Sequence, residues 1–292
     1  MGGPRLGQPE DLPLSSTSAT VPARDGSSLN ERRWTAAGQS HGSALIVHGL
    51  AEHSGRYERT AAILAATGLE VAALDLRGFG ASQGRRAYVA GWDVWLDDIE
   101  DRLAALRART DERPVVLLGH SMGGLVCLTY AESGRIQPDL LVLSSPWLAD
   151  GLPEWRRTAA RVLGRLVPTL SVANGFDGTT LSRDPSVGAE YRVDPLAHHR
   201  TTVGLGRAAL LAQERALVEL DKLRVPTLVI HGGADPLVPV ASSAVLATLP
   251  GVDRTVYPGL RHETLNEPEG PQVAADIAVW IAAQLGSSSP RA

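Results

Sequence analysis

Short runs of apolar residues alternate with longer stretches of helical periodicity along most of this chain. Most of the runs are bounded by Gly, Pro or Asp. The clearest are Ala44–Val47, Leu69–Leu74, Val115–Leu118, Leu140–Leu143 and Thr227–Ile230. A strand that is apolar at nearly every position is typical of a parallel sheet covered by helices on both faces. Because repeats of strand, helix and strand favour right-handed crossovers, the sequence predicts an α/β fold with a mostly parallel, doubly wound sheet.

Further strands and the covering helices complete this prediction. Residues Thr20–Ala23 and Asn30–Trp34 flank Arg24-Asp25-Gly26, which is a hairpin signal. A last strand is predicted at Thr255–Tyr257. Helical periodicity predicts helices at Tyr57–Thr67, Trp92–Arg109, Met122–Glu132, Leu205–Leu220, Val240–Leu249 and Gln272–Leu285.

One segment breaks the alternation of strands and helices. From Trp147 to about Gly204 no strand-like run occurs, but an apolar helical face extends from Trp155 to Val167. We interpret residues 147–204 as a helical cap, or lid, inserted between two strands of the sheet. The core is then divided into residues 16–146 and 205–285, and the tails 1–15 and 286–292 are expected to be disordered.

Composition and charge exclude several classes of protein. The chain of 292 residues is 43% hydrophobic and 21% charged, which is close to the globular average and rules out wholesale disorder. A formal net charge of −4 argues against a dedicated nucleic-acid binder. Cys127 is the only cysteine, so no intramolecular disulfide or thiolate cluster can form, and no H-E-x-x-H motif occurs. We therefore expect no bound metal.

The sequence shows no targeting signal. The first two dozen residues are rich in Gly, Pro and Ser and lack the apolar core of a signal peptide. The longest apolar runs are the size of a strand and too short to span a membrane. We therefore expect a cytoplasmic protein, and the sequence does not indicate its oligomeric state.

A pentapeptide after the run Val115–Leu118 matches the pattern G-x-S-x-G. It reads Gly119-His120-Ser121-Met122-Gly123, and a helical pattern follows it. A nucleophile elbow requires this strand–turn–helix context, because the sharp turn around its strained serine leaves room only for neighbours without side chains. We therefore predict that Ser121 is a catalytic nucleophile beside a helix N-terminus.

A serine nucleophile needs a histidine base and a carboxylate that orients the histidine. In folds with a nucleophile elbow, the acid and then the histidine follow the serine along the chain. Asp235 comes after the predicted strand Thr227–Ile230, and His262 comes after Thr255–Tyr257, so both fit that order. An Asx-turn before Pro236 is the alternative interpretation of Asp235. The competing histidines that follow Ser121, all of which precede the predicted acid, are His198, His199 and His231.

Two backbone N–H groups are needed to stabilise the oxyanion of such a reaction. We assign one to Met122, the residue after the nucleophile, and the other to Leu50 in the turn His48-Gly49-Leu50. A second glycine loop, Asp75–Ser82, lacks the lysine of a P-loop and the third glycine of a dinucleotide fingerprint. We interpret that loop as a structural turn.

Several longer motifs occur along the chain, namely His48–Tyr57 (HGLAEHSGRY), Asp75–Ser82, Gly119–Gly124 (GHSMGG), Leu181–Pro185, Tyr191–Pro195 and Tyr257–Pro268. Together they resemble the motifs of monoacylglycerol lipases and related lysophospholipases of the α/β-hydrolase superfamily. The resemblance extends from about Asp25 to Leu285. It implies a serine hydrolase with a mobile cap that needs no cofactor. Such an enzyme cleaves monoacylglycerol to glycerol and a fatty acid through an acyl-enzyme intermediate.

The resemblance also implies roles for individual residues. The positions that match the family's catalytic triad and oxyanion hole are Ser121, Asp235, His262, Leu50 and Met122. Tyr191 matches a cap tyrosine that hydrogen-bonds the glycerol head, whereas Glu52 and Arg56 match charged positions that we expect to be structural. The cap before Leu181 departs from the family, so an acyl-chain preference does not carry over.

Two other classes of function remain open. One is a carboxylesterase or lysophospholipase of the same fold with a different ester substrate. The other is a non-catalytic, ligand-binding member of the fold, which an intact set of Ser, Asp and His disfavours. The cationic, amphipathic cap helix also has two interpretations. Its apolar face roofs the acyl pocket, or it also makes transient contact with lipid surfaces, which would add a peripheral location at membranes.

Overall fold

An eight-stranded, mostly parallel sheet runs through the centre of the protein. The structure is a computed structural model, and it describes residues 16–176 and 178–287. The strands of the described residues, of which β7 and β8 lie outside this sheet, are β1 (Thr17–Pro22), β2 (Ser28–Trp34), β3 (Gly42–Val47), β4 (Leu69–Leu74), β5 (Val115–His120), β6 (Leu140–Ser144), β7 (Ser171–Ala173), β8 (Arg200–Thr202), β9 (Thr227–Gly232) and β10 (Val252–Tyr257). The main sheet has the order β1-β2-β4-β3-β5-β6-β9-β10, in which β2 runs antiparallel to its neighbours β1 and β4 and all other neighbouring strands are parallel. The predicted fold class is therefore confirmed.

Helices lie on both sides of this sheet. In chain order they are α1 (Glu58–Ala66), α2 (Trp92–Arg109), α3 (Met122–Ala131), α4 (Glu154–Leu166), α5 (Pro185–Val193), α6 (Val203–Glu219) and α7 (Gly270–Ser287). The helix predicted at Val240–Leu249 is a 3-10 segment over Val240–Thr248. Within the described residues, none of the helices combines the length and the apolar character needed to cross a bilayer.

The central strands are buried on both faces, which explains their continuous apolar runs. In β3, Leu45 and Val47 belong to a core cluster with residues of α2 and α3, whereas Ala44 and Ile46 belong to a second cluster with residues of α1 and α7. Every residue of β3 and of β5 is buried. The carboxyl ends of β5, β9 and β10 lead into the loops that carry the predicted site residues.

The segment between β6 and β9 carries the cap elements α4, β7, α5 and β8. Strands β7 and β8 pair in antiparallel fashion, and the sequence did not indicate either of them. Each strand has only three residues of mixed polarity, so neither forms an apolar run. The cap limits at residues 147 and 204 stay a prediction, and α6 begins at Val203.

Helix α4 lies against α6 at a close crossing. A Cβ on Gly164 of α4 would lie 2.5 Å from the Cβ of Arg207 and 2.6 Å from the Val203 carbonyl oxygen of α6. Glycine is therefore required at this crossing. The apolar side chains of α4 near its two ends, Trp155 and Leu166, are exposed.

The predicted tails fall largely outside the described residues. The whole of the predicted N-terminal tail, residues 1–15, lies outside them, as do residues 288–292. At the C-terminal end α7 continues to Ser287, so Gly286 and Ser287 belong to a helix and not to a tail.

Candidate active site

Ser121 occupies the sharp turn between β5 and α3. Its backbone has φ 52° and ψ −116°, a conformation that residues other than glycine rarely adopt. A Cβ on Gly119 would lie 2.4 Å from the Gly123 carbonyl oxygen, and one on Gly123 would lie 2.2 Å from the Val47 carbonyl oxygen. Both glycines are therefore needed for this turn, which has the geometry of a nucleophile elbow.

The structure brings the three predicted residues Ser121, His262 and Asp235 together in one hydrogen-bonded chain. The Ser121 Oγ lies 2.8 Å from His262 Nε2, and His262 Nδ1 lies 2.7 Å from Asp235 Oδ2. His262 comes from the loop after β10, and Asp235 comes from the loop after β9. In this arrangement the serine hydroxyl donates a hydrogen bond to Nε2, and the Nδ1–H group donates one to the carboxylate. A histidine held in this tautomer can accept a proton from the serine.

The Asp235 carboxylate has a separate set of partners for each oxygen. Oδ1 accepts the N–H groups of Leu237 at 2.8 Å and Val238 at 2.9 Å, which is an Asx-type turn. Oδ2 accepts from His262 and lies 3.2 Å from His231 Nε2. The two interpretations of Asp235 from the sequence are therefore compatible. Although burial alone would raise it, the pKa of Asp235 is held well below its ordinary value by the hydrogen bonds from His231 and His262.

The turn that contains Leu50 is held on both sides of Gly49. The Gly49 N–H donates to Glu52 Oε1 at 2.5 Å, and its carbonyl oxygen accepts from His48 Nδ1 at 2.7 Å. A Cβ on Gly49 would lie 3.2 Å from the Cβ of Ser121, so this turn closely approaches the serine. Met122 is the first residue of α3. The oxyanion contacts of Leu50 and Met122 stay a prediction.

Tyr191 is a buried residue of the cap, on α5. Its hydroxyl lies 3.5 Å from the His198 carbonyl oxygen, and the guanidinium of Arg56 lies over its ring at 5.6 Å. Burial raises the pKa of Tyr191 to about 12, so the phenol stays protonated. Tyr191 lines a small cavity with Ser121, and its contact with glycerol stays a prediction.

Arg56 lies between two buried carboxylates, Glu52 and Glu263, that line the small cavity at Ser121. Its Nη2 donates to Glu263 at 2.6 Å, and its Nε lies 3.2 Å from Glu52. Glu52 also accepts from the buried Tyr57 hydroxyl at 2.8 Å. These contacts agree with the structural role expected for Glu52 and Arg56. Glu263 was not among the residues predicted from the sequence.

Two cavities meet at Ser121 and His262. The larger has a volume of about 360 Å³ and is lined mainly by apolar side chains, which include Leu50, Trp147, Leu152, Phe176, Leu237 and Val238. The smaller has a volume of about 20 Å³, and its polar lining residues include Glu52, His120, Tyr191 and Glu263. Burial and the neighbouring His262 lower the pKa of His120 to about 3, so its ring is neutral. The larger cavity can therefore hold an apolar acyl group beside Ser121, whereas the smaller one offers polar partners next to the same hydroxyl.

The chemistry of the described residues offers no cluster for a metal. No group of three or more His, Cys, Asp or Glu side chains among them is arranged to hold an ion. Cys127 is buried behind the elbow, and burial raises the pKa of its thiol well above the ordinary value. The thiol is therefore unreactive, and Cys127 acts as packing.

Comparisons with known proteins point in one direction. A family model described as serine aminopeptidase, S33, matches residues 38–269. The chain is 36% identical to monoacylglycerol lipase of Mycolicibacterium smegmatis, over 86% of this chain and 92% of the relative. It is 33% identical to human monoglyceride lipase, over 97% of this chain and 96% of the relative. The crystal structure of Paleococcus ferrophilus monoacylglycerol lipase is similar, with a TM-score of 0.79 and 32% identity over 88% of this chain and 99% of the other.

Proposed function

Because this chain belongs to the family described as serine aminopeptidase, S33, and is a serine ester hydrolase, we propose that it cleaves monoacylglycerol to glycerol and a fatty acid at Ser121. The observation that carries this proposal is the meeting, at the Ser121 hydroxyl, of an apolar groove and a smaller cavity in which Tyr191 and the buried carboxylates of Glu52 and Glu263 supply polar groups. A monoacylglycerol has one apolar chain and one compact polar alcohol, so it matches the two cavities in chemistry.

In the first half of the reaction Ser121 attacks the ester carbonyl carbon. His262 takes the hydroxyl proton as the new C–O bond forms, and Asp235 stabilises the resulting imidazolium. The hydrogen bonds of 2.8 Å between Ser121 and His262 and of 2.7 Å between His262 and Asp235 support these roles. The N–H groups of Leu50 and Met122 bind the oxyanion of the tetrahedral intermediate.

In the second half the tetrahedral intermediate collapses, and glycerol leaves first and the fatty acid second. His262 gives its proton to the leaving glycerol oxygen as the carbon–oxygen bond breaks, which leaves an acyl group on Ser121. Water then attacks the acyl carbon and gives a proton to His262, which passes it to the Ser121 Oγ as the bond between Oγ and the acyl carbon breaks, so the fatty acid leaves and the serine is restored. Every step uses side chains and backbone of this chain, so the reaction needs no cofactor.

The two product groups occupy different cavities beside Ser121. The acyl chain lies in the apolar groove, and the glycerol lies beside Tyr191 in the smaller cavity. That cavity, at about 20 Å³, is only slightly larger than the space a water molecule needs. Glycerol therefore requires the cap residue Phe176, which lines the cavity, to move. This supports a cap that opens during turnover.

The proposal is tested with glycerides that differ only in the number of acyl chains. The expected result is that kcat/KM for monooleoylglycerol exceeds that for dioleoylglycerol and trioleoylglycerol by at least about tenfold, because additional acyl chains do not fit a small polar cavity. All substrates are presented in the same mixed micelles. Equal or faster hydrolysis of trioleoylglycerol would contradict the proposal.

A carboxylesterase or lysophospholipase activity is the alternative. The small cavity holds the carboxylates of Glu52 and Glu263 with one guanidinium from Arg56 between them, so its charge disfavours a phosphate group. Lysophosphatidylcholine and a chain-length series of p-nitrophenyl esters distinguish these activities from hydrolysis of monoacylglycerol.

Helix α4 supports a contact between the cap and lipid surfaces. Trp155 is 67% exposed and Leu166 is 71% exposed, although both belong to the apolar face of the helix. The guanidinium of Arg156 lies over the Trp155 ring at 5.1 Å, and Arg165 is exposed nearby. An exposed apolar face with arginines beside it is typical of helices that lie at the surface of a membrane.

Flotation with anionic vesicles tests this contact. We expect the double substitution Trp155→Ser and Leu166→Ser to lower the vesicle-bound fraction at least about fivefold, because it removes the apolar area that enters the bilayer. The matched control is Val218→Ser, at a side chain on α6 that is 80% exposed. Hydrolysis of a soluble aryl ester should stay unchanged in all variants. If the unaltered protein does not float with the vesicles, the membrane contact is refuted.

A further inference from the structure

The loop that carries His262 is bonded to one segment of the cap, Thr179–Arg183. The Glu263 N–H donates to the Leu181 carbonyl oxygen at 2.8 Å. The Arg261 side chain donates from Nη1 to the Ser182 carbonyl oxygen at 3.1 Å and to the Thr179 carbonyl oxygen at 2.5 Å. The residues on both sides of His262 therefore hold this part of the cap.

A buried carboxylate, that of Glu267, joins the two segments directly. Glu267 has no exposed surface. Its Oε1 accepts the backbone N–H of Arg261 at 2.6 Å. Its Oε2 accepts the backbone N–H of Arg183 at 2.9 Å and the Nε–H of the same arginine at 3.2 Å. Each oxygen of this carboxylate is thus committed to a different segment, and these hydrogen bonds offset the cost of burying the charge.

The hydrogen bond between Glu267 and the Arg261 N–H fixes the backbone at the residue directly before His262. Beyond His262, its own carbonyl oxygen accepts from the Ser145 hydroxyl at 3.0 Å, and Ser145 has a left-handed φ of 43°. The backbone that carries the imidazole is consequently held before and after the residue. This matters because the distance of 2.8 Å between Nε2 and the Ser121 Oγ depends on that backbone.

We propose that Glu267 is a positioning residue: its carboxylate fixes the backbone at Arg261, and thereby His262, against the cap segment Thr179–Arg183. This segment then belongs to the rigid frame of the site rather than to the part of the cap that opens. The inference rests on the roles proposed for Ser121 and His262, but not on the identity of the ester.

The test is Glu267→Gln, which keeps the shape of the side chain. A glutamine has one acceptor oxygen and an NH₂ group, so it cannot accept from both Arg261 and Arg183. We measure kcat and KM for p-nitrophenyl acetate and p-nitrophenyl laurate, and the rate of labelling by a fluorophosphonate probe. The expected result is a fall of about 10- to 100-fold in kcat for both esters and in the labelling rate, with KM unchanged.

Glu269→Gln is the matched control. Glu269 is half exposed, and it pairs with the side chain of Arg183 but not with the His262 loop. Its substitution should leave kcat, KM and the labelling rate unchanged, because exposed ion pairs contribute little.

The other outcomes separate positioning from a purely structural role. A raised KM for the laurate with an unchanged kcat for the acetate would mean that Glu267 only holds the cap, and would overturn the proposal. An unchanged labelling rate would overturn it as well. If Glu267→Gln does not fold, Arg183→Leu removes the Nε donor to the carboxylate, and kcat for the acetate should fall at least about threefold. An unchanged kcat in that variant would again contradict the proposal.

These readouts are independent of the proposed substrate. A protein that shows the expected Glu267→Gln effect on aryl esters but does not hydrolyse monoacylglycerol would refute the proposed substrate and leave the role of Glu267 intact. Conversely, hydrolysis of monoacylglycerol that is unaffected in Glu267→Gln would refute the positioning role alone.

Discussion

Ser121→Ala is expected to lower the kcat of ester hydrolysis by roughly 10⁴- to 10⁶-fold. The substitution removes the Ser121 Oγ, which is the proposed nucleophile, and it leaves His262 without a hydroxyl proton to accept. Among the residues that the structure describes, the serine side chain hydrogen-bonds to His262 alone, so its loss should not destabilise the fold. The measurement is the rate of fatty acid release from monooleoylglycerol and of nitrophenolate release from an aryl ester, with the melting temperature as a check of folding.

Ser186→Ala is the control for this substitution. Ser186 is exposed near the start of α5, and its hydroxyl donates only to Asp184 among the partners that the structure describes. Its activity should equal that of the unaltered protein. Substantial hydrolysis of the aryl ester by Ser121→Ala would show that another residue is the nucleophile.

Asp235→Asn is expected to lower kcat by roughly 10³- to 10⁴-fold while the fold is retained. The N–H groups of Leu237 and Val238 both point at Oδ1, so the amide oxygen of an asparagine should occupy that position. The amide NH₂ then faces His262 Nδ1, which must give up its proton. The proton moves to Nε2, and in that tautomer the imidazole cannot accept a proton from Ser121.

The readouts for Asp235→Asn are kcat for the aryl ester and the melting temperature. Asp253→Asn is the control, since Asp253 is exposed on β10 and accepts from Trp280 at 2.8 Å. A loss of less than about tenfold in Asp235→Asn, with the fold intact, would mean that Asp235 does not orient the base.

Features set by local sequence could be predicted well. The strands β3 and β5 were predicted because burial on both faces favours an apolar residue at nearly every position. The elbow at Ser121 was predicted because its turn requires glycine at neighbouring positions. Asp235 and His262 could be predicted from chain order, because the carboxyl ends of parallel strands lie at one edge of the sheet.

Features that depend on contacts between distant segments could not be predicted. Glu267 lies 84 residues from Arg183, and nothing in either local sequence indicates that they meet. The pair of β7 and β8 was missed for a related reason, since three residues are too few for a periodic pattern. Glu263 follows His262 directly, but its partner Arg56 lies 207 residues away. Such partners become visible only when the fold has brought the loops together.

A titration with a fluorophosphonate probe tests most directly whether Ser121 carries the hydrolysis of monoacylglycerol. The protein is labelled to increasing extents, the labelled peptide is identified by mass spectrometry, and monooleoylglycerol hydrolysis is measured at each step. We predict that the label is found on Ser121 alone and that activity falls in proportion to labelling, to zero when every chain is labelled. A label on another residue, or hydrolysis that persists in fully labelled protein, would contradict the proposed mechanism.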